Sequence, residues 1–252
     1  MKITFCLITL NESSNLQRCL ESCQALADEI VIVDSGSTDD TEKIGEAFGV
    51  KWFHQDWLGF RDQKNMALDL ASNDWVFSID ADEALSPQLI TEIKAIKASQ
   101  MSGKIVGFDM PRCVKYEGRW IRHGDWYPDR LVRLFLKDKG RFAGGRVHER
   151  LEIDGTLNAF RGELEHYSYT DVDDHWRRCQ YYAKLWAEGK YELGTKVGPL
   201  SGVSHALFRW IRGYLLKRGY LDGAQGLRIA NMCAREVSLK YSLLRQMNRS
   251  KS

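Results

Sequence analysis

Proline is scarce, four in 252 residues, and no Pro-, Gly- or Ser-rich tract or run of like charge breaks the chain. That composition disfavours collagen-like and disordered classes. The six cysteines (Cys6, Cys19, Cys23, Cys113, Cys179, Cys233) include no Cys-x-x-Cys pair, so no structural zinc spacing is present and free thiols in a reducing compartment are expected. Long hydrophobic runs are also missing. The longest uncharged stretch of the C-terminal part, residues 197–208, falls short of the ~20 residues that span a bilayer. The apolar stretch at residues 3–10 is followed by no small-residue cleavage site, so it reads as a buried strand and not as a signal peptide. Neither a GxGxxG nor a GxxxxGK[ST] loop occurs, which removes support for a dinucleotide-binding fold or a P-loop NTPase.

What is present is a globular composition, 44% hydrophobic and 28% charged, with length for one or two domains. Over the first ~100 residues, β-rich runs alternate with helical patterns, the signature of βαβ units and a mostly parallel sheet in an α/β protein. Strands are expected at residues 3–9, 30–34, 50–54 and 75–80. Between them, Leu16, Cys19, Leu20, Cys23 and Leu26 recur at helical spacing, and a further helix is expected over residues 61–71. Ser86-Pro87 signals another helix, with serine as cap and proline in the first turn. Strands follow at 105–116 and 130–135, joined by a Gly- and Trp-rich loop long enough to be functional. From Asp171 the chain reads as helical, in three runs. The reading is therefore an α/β domain over residues 1–165 and a helical C-terminal region over 166–252.

Charge is unevenly distributed. The overall balance is +2, but residues 196–252 hold eleven basic against two acidic residues. Between Leu200 and Arg218, an apolar stripe (Val203, Leu207, Trp210, Ile211, Tyr214, Leu215) runs beside Arg209, Arg212, Lys217 and Arg218. Such a basic amphipathic helix suits a membrane surface, where each cation near an anionic leaflet contributes about 1 kcal/mol. It equally suits packing on the body or on a second subunit, which leaves a homodimer open. Nucleic acid ranks lower as a partner because no recognisable binding module appears.

Ligands of open parallel sheets bind beyond the carboxyl ends of the strands. Here those ends carry Thr9-Leu10-Asn11-Glu12, Asp34-Ser35-Gly36-Ser37 and Asp80-Ala81-Asp82-Glu83. Each alone reads as a cap or turn, whereas three on one rim favour a site. Asp80 and Asp82 supply hard oxygen donors suited to Mg²⁺ or Mn²⁺.

The three segments Leu7-Ile8-Thr9-Leu10-Asn11-Glu12, Ile32-Val33-Asp34-Ser35-Gly36-Ser37-Thr38-Asp39 and Trp75-Val76-Phe77-Ser78-Ile79-Asp80-Ala81-Asp82-Glu83 resemble, in order, the nucleotide-sugar motifs of family 2 glycosyltransferases with the GT-A fold. Tyr127-Pro128-Asp129, Arg133-Leu134-Phe135 and Val147-His148-Glu149 are similar to the branch that includes lipopolysaccharide core β-1,4-glucosyltransferases. The resemblance implies an inverting, metal-dependent hexosyltransferase that moves glucose or a similar hexose from a UDP-sugar to a lipid-linked inner-core acceptor such as heptose. It would work in the cytoplasm, peripherally on the inner membrane. Thr9, Leu10, Asn11, Glu12, Asp34, Lys64, Asp80, Ala81 and Asp82 would then bind the nucleotide-sugar, with Asp82 on the metal. Glu149 is the expected base and Asp129 the runner-up; the family's acidic pair is replaced here by His148-Glu149. His148 and His166 are further imidazoles that suit Mn²⁺. Two other readings stand: a phosphohydrolase with Asp80 as nucleophile and Asp82 as acid, and a non-enzymatic adaptor driven by the basic tail. The glycosyl acceptor also stays open among glycans, lipids and proteins.

Overall fold

The computed structural model describes residues 1–99, 104–144 and 149–249. The chain divides into two compact units, Met1–Arg112 with Asp129–Tyr167, and Cys113–Pro128 with Ser168–Ser252. The hairpin of residues 113–128, assigned with the α/β part on sequence, thus groups with the C-terminal helices.

In the first unit four parallel strands, β1 (Ile3–Thr9), β2 (Glu29–Asp34), β3 (Lys51–His54) and β4 (Trp75–Ser78), lie in the order β3-β2-β1-β4. Helices α1 (Leu16–Cys23), α2 (Thr41–Ala47) and α3 (Phe60–Leu70) connect them. The β1 side chains are buried on both faces, as a central parallel strand requires. Phe5 stacks on Phe77 at 4.8 Å between ring centroids. Leu16, Cys19, Leu20 and Cys23 of α1 close the same core.

After α4 (Pro87–Ala98), with Ser86 Oγ accepting from the Leu89 N–H, the sheet continues antiparallel. β8 (Asp129–Leu136) pairs with β4 and with β6 (Ile105–Tyr116). β12 (Leu164–His166) pairs with β5 (Glu83–Leu85), and β11 (Thr156–Ala159) runs parallel to β6. A separate two-stranded sheet joins β9 (Gly140–Gly144) to β10 (Glu149–Ile153). The parallel half is thus the N-terminal half, and the complete sheet is mixed.

One carboxylate ties the far end of this sheet together. Glu29 accepts from Thr4 Oγ1 at 2.6 Å and from the Ser72 N–H and Oγ, both at 2.7 Å, and pairs with Lys51 Nζ at 2.5 Å. Burial pushes its pKa up, but these donors outweigh it and bring the value down to about 2 from 4.5. A depressed folded value means stability that is present above pH 4.5 and lost as pH falls toward 2. Glu29→Gln should therefore lower stability at pH 7 by about 1–3 kcal/mol. Denaturant midpoints of the two proteins should converge on acidification.

The second unit holds β7 (Arg119–Ile121), paired with the end of β6, together with α5 (Val172–Glu192), α6 (Ser201–Trp210) and α7 (Gly223–Arg249). The Gly- and Trp-rich segment expected as a functional loop is instead this hairpin and a 3₁₀ turn. Trp126 stacks on Tyr169 at 5.2 Å and meets Tyr116 edge-on at 5.4 Å. Two aspartates, each 3% exposed at the side chain, pin the segment. Asp125 pairs with Arg212, Arg209 and Lys217 at 2.6, 3.0 and 3.2 Å. Asp222 accepts from the Arg122 and His123 N–H groups at 3.1 and 2.8 Å. Three of the four cations expected to flank a membrane-facing stripe are therefore engaged internally. At Gly226 a Cβ would stand 1.9 Å from the Gly219 carbonyl oxygen, so only glycine permits this approach.

His175, 2% exposed, is enclosed by Tyr116, Trp126 and Tyr169, with Nδ1 3.0 Å from the Tyr116 hydroxyl. Burial, partly offset by Glu236 and Asp174, pushes its pKa down to about 4 from 6.5. The unfolded chain then binds the proton first. Stability should fall as pH drops from 6.5 to 4, by up to about 3 kcal/mol, and level off below. His175→Gln should remove that slope from a plot of unfolding free energy against pH.

Candidate active site

The carboxyl ends of β1 and β2 form one hydrogen-bonded lattice. Thr9 and Asp34 are register partners, and Thr9 Oγ1 donates to Asp34 at 2.8 Å. Asp34 also accepts from the N–H groups of Gly36 and Ser37 at 2.9 and 2.7 Å and from Ser37 Oγ at 2.5 Å. Gly36 has φ +94°, which a glycine adopts without Cβ strain and which folds the turn back onto the carboxylate. Burial raises the Asp34 pKa, but these donors hold it below the usual carboxylate range. Asn11, at φ +56°, donates its N–H to Ser37 Oγ and accepts from Thr38 N–H, both at 2.8 Å. Glu12 N–H donates to Thr41 Oγ1 at 2.9 Å. Thr9 and Asp34 are thus enclosed by their own loops, while Leu10, 50% exposed, and Asn11 face solvent.

At the end of β4 an ion-pair chain begins. Asp80 Oδ1 lies 3.0 Å from Lys64 Nζ, and Asp80 Oδ2 lies 2.7 Å from Arg133 Nη2. Arg133 also reaches Glu83 at 2.7 Å, Arg112 stands 3.6 Å from Glu83, and Arg112 pairs with Asp129 at 2.7 Å. In the other direction Lys64 stands 3.6 Å from Glu149 Oε1. The two candidate bases therefore sit at the two ends of one chain of charges. Although burial opposes ionisation, Arg133 and Lys64 hold the Asp80 carboxyl far below its usual range. Both its oxygens are bound to cations, which disfavours the nucleophile role that a phosphohydrolase would assign it.

Lys64, Asp80, Arg112, Arg133 and Glu149 border a cleft of about 510 Å³. Asp82 lies apart from its lining. Its Oδ2 is 3.2 Å from His166 Nε2, and its carbonyl accepts from Tyr167 N–H at 2.8 Å. Burial pushes the Glu12 carboxyl above its usual pKa; its Asn15 hydrogen bond works against that rise, and the negative charges of Asp82, Asp39 and Asp80 add to it. Negative potential therefore concentrates between the β1 and β4 ends. Ala81 belongs to the hydrophobic core, so it can offer a ligand only its backbone. His148 lies outside the described residues.

Sequence reasoning named Lys64 as a phosphate contact but missed what holds it. Gln63 and Asn65 beside it are buried polar groups. Gln63 Nε2 donates to Ser35 Oγ and to the Gln55 carbonyl, both at 3.0 Å. Asn65 exchanges two hydrogen bonds with the Phe142 backbone, at 2.9 and 3.0 Å. That amide clamp fixes the β9–β10 pair against α3 and so sets Glu149 against Lys64. Three consecutive polar residues mid-helix were the available signal. Arg133, on β8, is 6% exposed and bridges Asp80 and Glu83.

Polar and acidic groups gathered at the parallel strand ends of an α/β sheet are the arrangement in which such folds take ligands. Residues 4–150 match the family model described as Glycosyl transferase family 2, and the chain belongs to that family. It is 33% identical over 75% of its length to 72% of LpsC of Rhizobium meliloti, described as a lipopolysaccharide core biosynthesis glycosyltransferase. It is 28% identical over 95% of its length to 88% of an uncharacterized glycosyltransferase of Rickettsia typhi. Among solved structures it resembles glucosyl-3-phosphoglycerate synthase of Mycobacterium tuberculosis in complex with phosphoglyceric acid. That match has TM-score 0.49 and 18% identity over 78% of this chain and 81% of that one.

Proposed function

We propose that this glycosyltransferase is an inverting, metal-dependent enzyme that transfers a hexose, glucose first among candidates, from a UDP-sugar to a heptose of a lipopolysaccharide inner core. The observation that carries the reading is the cleft in which Glu149 stands across Lys64 from Asp80, beside Asp82 at the same strand end. The relationship to LpsC supports the acceptor class. In this reading Thr9, Leu10, Asn11, Glu12 and Asp34 shape the nucleoside end, with Leu10 and Asn11 presenting the accessible surface. Lys64 meets the diphosphate, and Glu149 removes the proton from the attacking hydroxyl.

The donor set fits a hard divalent cation. Asp82 and His166 offer an oxygen and an imidazole donor, and His166 Nδ1 is buried with no partner among the described residues. No three acid, histidine or cysteine groups converge into a cage among the described residues, as suits a metal that takes its remaining ligands from a substrate diphosphate and water. When bound, Mg²⁺ or Mn²⁺ supplies charge stabilisation for the departing UDP.

Peripheral membrane contact belongs to the same reading. No helix among the described residues is long and apolar enough to cross a membrane. The α6 side chains Val203, Leu207 and Phe208 are 63%, 59% and 61% exposed, an apolar surface that suits the cytoplasmic face of an inner membrane and a lipid-linked acceptor.

The test is UDP release from a panel of UDP-sugars with extracted lipopolysaccharide core as acceptor, with Mn²⁺ or Mg²⁺ against chelator. Metal-dependent, acceptor-stimulated release from one sugar is expected, and Asp82→Ala should abolish it while circular dichroism stays unchanged. Normal turnover in Asp82→Ala would remove the metal role from this residue.

A further inference from the structure

We propose that Trp57 and Phe60 form a saccharide-stacking subsite for the acceptor, a pyranose platform at the mouth of the cleft; the inference rests on the transferase reading above. Trp57, Leu58 and Phe60 are 48%, 46% and 47% exposed. The two rings meet edge to face, 4.8 Å apart at 87°. Three large apolar side chains within four residues, at the end of the β3–α3 connection and the first position of α3, leave water-facing surface that the core does not use.

The segment is nonetheless fixed. Gly59, at φ +96°, permits the reversal between Leu58 and the first turn of α3. Beneath it the buried Gln63 side chain donates to the Gln55 carbonyl and accepts from Leu58 N–H at 3.4 Å. Aromatic surface held out on a braced segment is preorganised, and its ordering cost is met in folding rather than in binding.

Its position identifies the occupant. Phe60 stands four residues before Lys64 on α3, hence about one turn, ~6 Å, along the same helix face. Arg61, between them, donates to the Gly144 carbonyl at 3.1 Å. Gly144 is the register partner of Glu149. The platform thus sits at the start of the helix that carries Lys64, and Arg61 beside it ties that helix end to the strand pair that carries Glu149. A pyranose ring offers a flat face of C–H groups to an aromatic ring and a hydroxyl edge to the polar cleft, matching this apolar shelf beside Lys64 and Glu149.

The experiment compares Trp57→Ala/Phe60→Ala with wild type, using delipidated lipopolysaccharide core oligosaccharide as acceptor and the UDP-sugar that supports transfer. UDP affinity in Mn²⁺ is measured by calorimetry alongside. The KM for the oligosaccharide should rise about tenfold or more, corresponding to ~1.4 kcal/mol, with UDP affinity unchanged. Trp57→Phe/Phe60→Tyr should restore most of the loss, which separates a stacking surface from a structural role. Three results overturn the subsite while leaving the transferase reading intact. They are an unchanged KM in the double alanine variant, a matching fall in UDP affinity, and lost binding to anionic phospholipid vesicles with the KM for oligosaccharide unaltered. Wild-type protein that releases no UDP with any sugar and acceptor defeats the transferase reading, and the subsite with it.

Discussion

Glu149→Gln should slow glycosyl transfer by roughly 10²–10⁴-fold, the range general-base removal gives, with donor affinity retained. The substitution keeps the side chain's shape and removes its ability to take a proton. Glu149 and Asp129 differ in how far they are committed to neighbours. Asp129 Oδ2 accepts from both Nε and Nη2 of Arg112 at 3.0 and 2.7 Å, two charge-assisted bonds that hold that oxygen and lower its readiness to take a proton. Glu149 has, among the described residues, one looser ionic contact, to Lys64 at 3.6 Å, and it lines the cleft where an incoming hydroxyl would stand. Single-turnover rates at saturating donor are the measurement. A rate within threefold of wild type would remove Glu149 from the chemistry, and Asp129→Asn is then the variant whose loss of rate should be large.

The largest expected effect on stability belongs to Arg133→Met. Its guanidinium is 7% exposed and lies 2.7 Å from both Asp80 and Glu83, and the Glu83 side chain is fully enclosed. Removing the cation leaves a buried carboxylate whose nearest remaining cation among the described residues is Arg112, 3.6 Å away, with the Asp80 N–H at 3.1 Å as its other donor. Breaking one side of such a buried pair costs about 3–5 kcal/mol. A chain of this length should lose roughly 10 °C in melting temperature for that cost. Adding Glu83→Gln should recover part of the loss, because the stranded charge is gone, whereas Asp80→Asn should recover less, since Asp80 keeps Lys64 and is 29% exposed. Calorimetric melting of the three proteins checks the order. Equal melting of Arg133→Met and wild type would mean that Arg133 contributes nothing net where it is buried.

The parallel half of the sheet was legible because its signals are local. Apolar runs at residues 3–9 and 30–34 end in Asn11 and Asp34, and the 3-and-4 spacing of Leu16, Cys19, Leu20 and Cys23 is the buried face of α1. The antiparallel half was less so. β5, β11 and β12 are three or four residues long, too short for a period to show, and their pairing is set by partners distant in sequence. Thr156–Ala159 is wholly exposed, so no hydrophobic pattern could mark it as a strand. The site divides the same way. Asp80 and Asp82 announce themselves by spacing, whereas the Glu149–Lys64–Asp80–Arg133 chain joins four elements and exists only in the fold. Trp126, in the Gly- and Trp-rich segment expected to be functional, lies instead in a cluster with Tyr116 and Tyr169. Trp57 and Phe60, which face solvent, carry no such mark in the chain.

All six cysteines are free and buried. Burial pushes the thiols of Cys6 and Cys233 upward, and that of Cys179 to about 12, so the reactive thiolate is rare while the fold is intact. Labelling by a maleimide should therefore keep time with opening of the chain. Cys6, Cys19 and Cys23 lie in β1 and α1 of the first unit, while Cys113, Cys179 and Cys233, in β6, α5 and α7, belong to the second. The order in which these two sets of thiols acquire label, read by mass, would tell which part of the molecule lets go first. A single cysteine placed on an exposed position would in turn be the one fast-reacting handle for a dye.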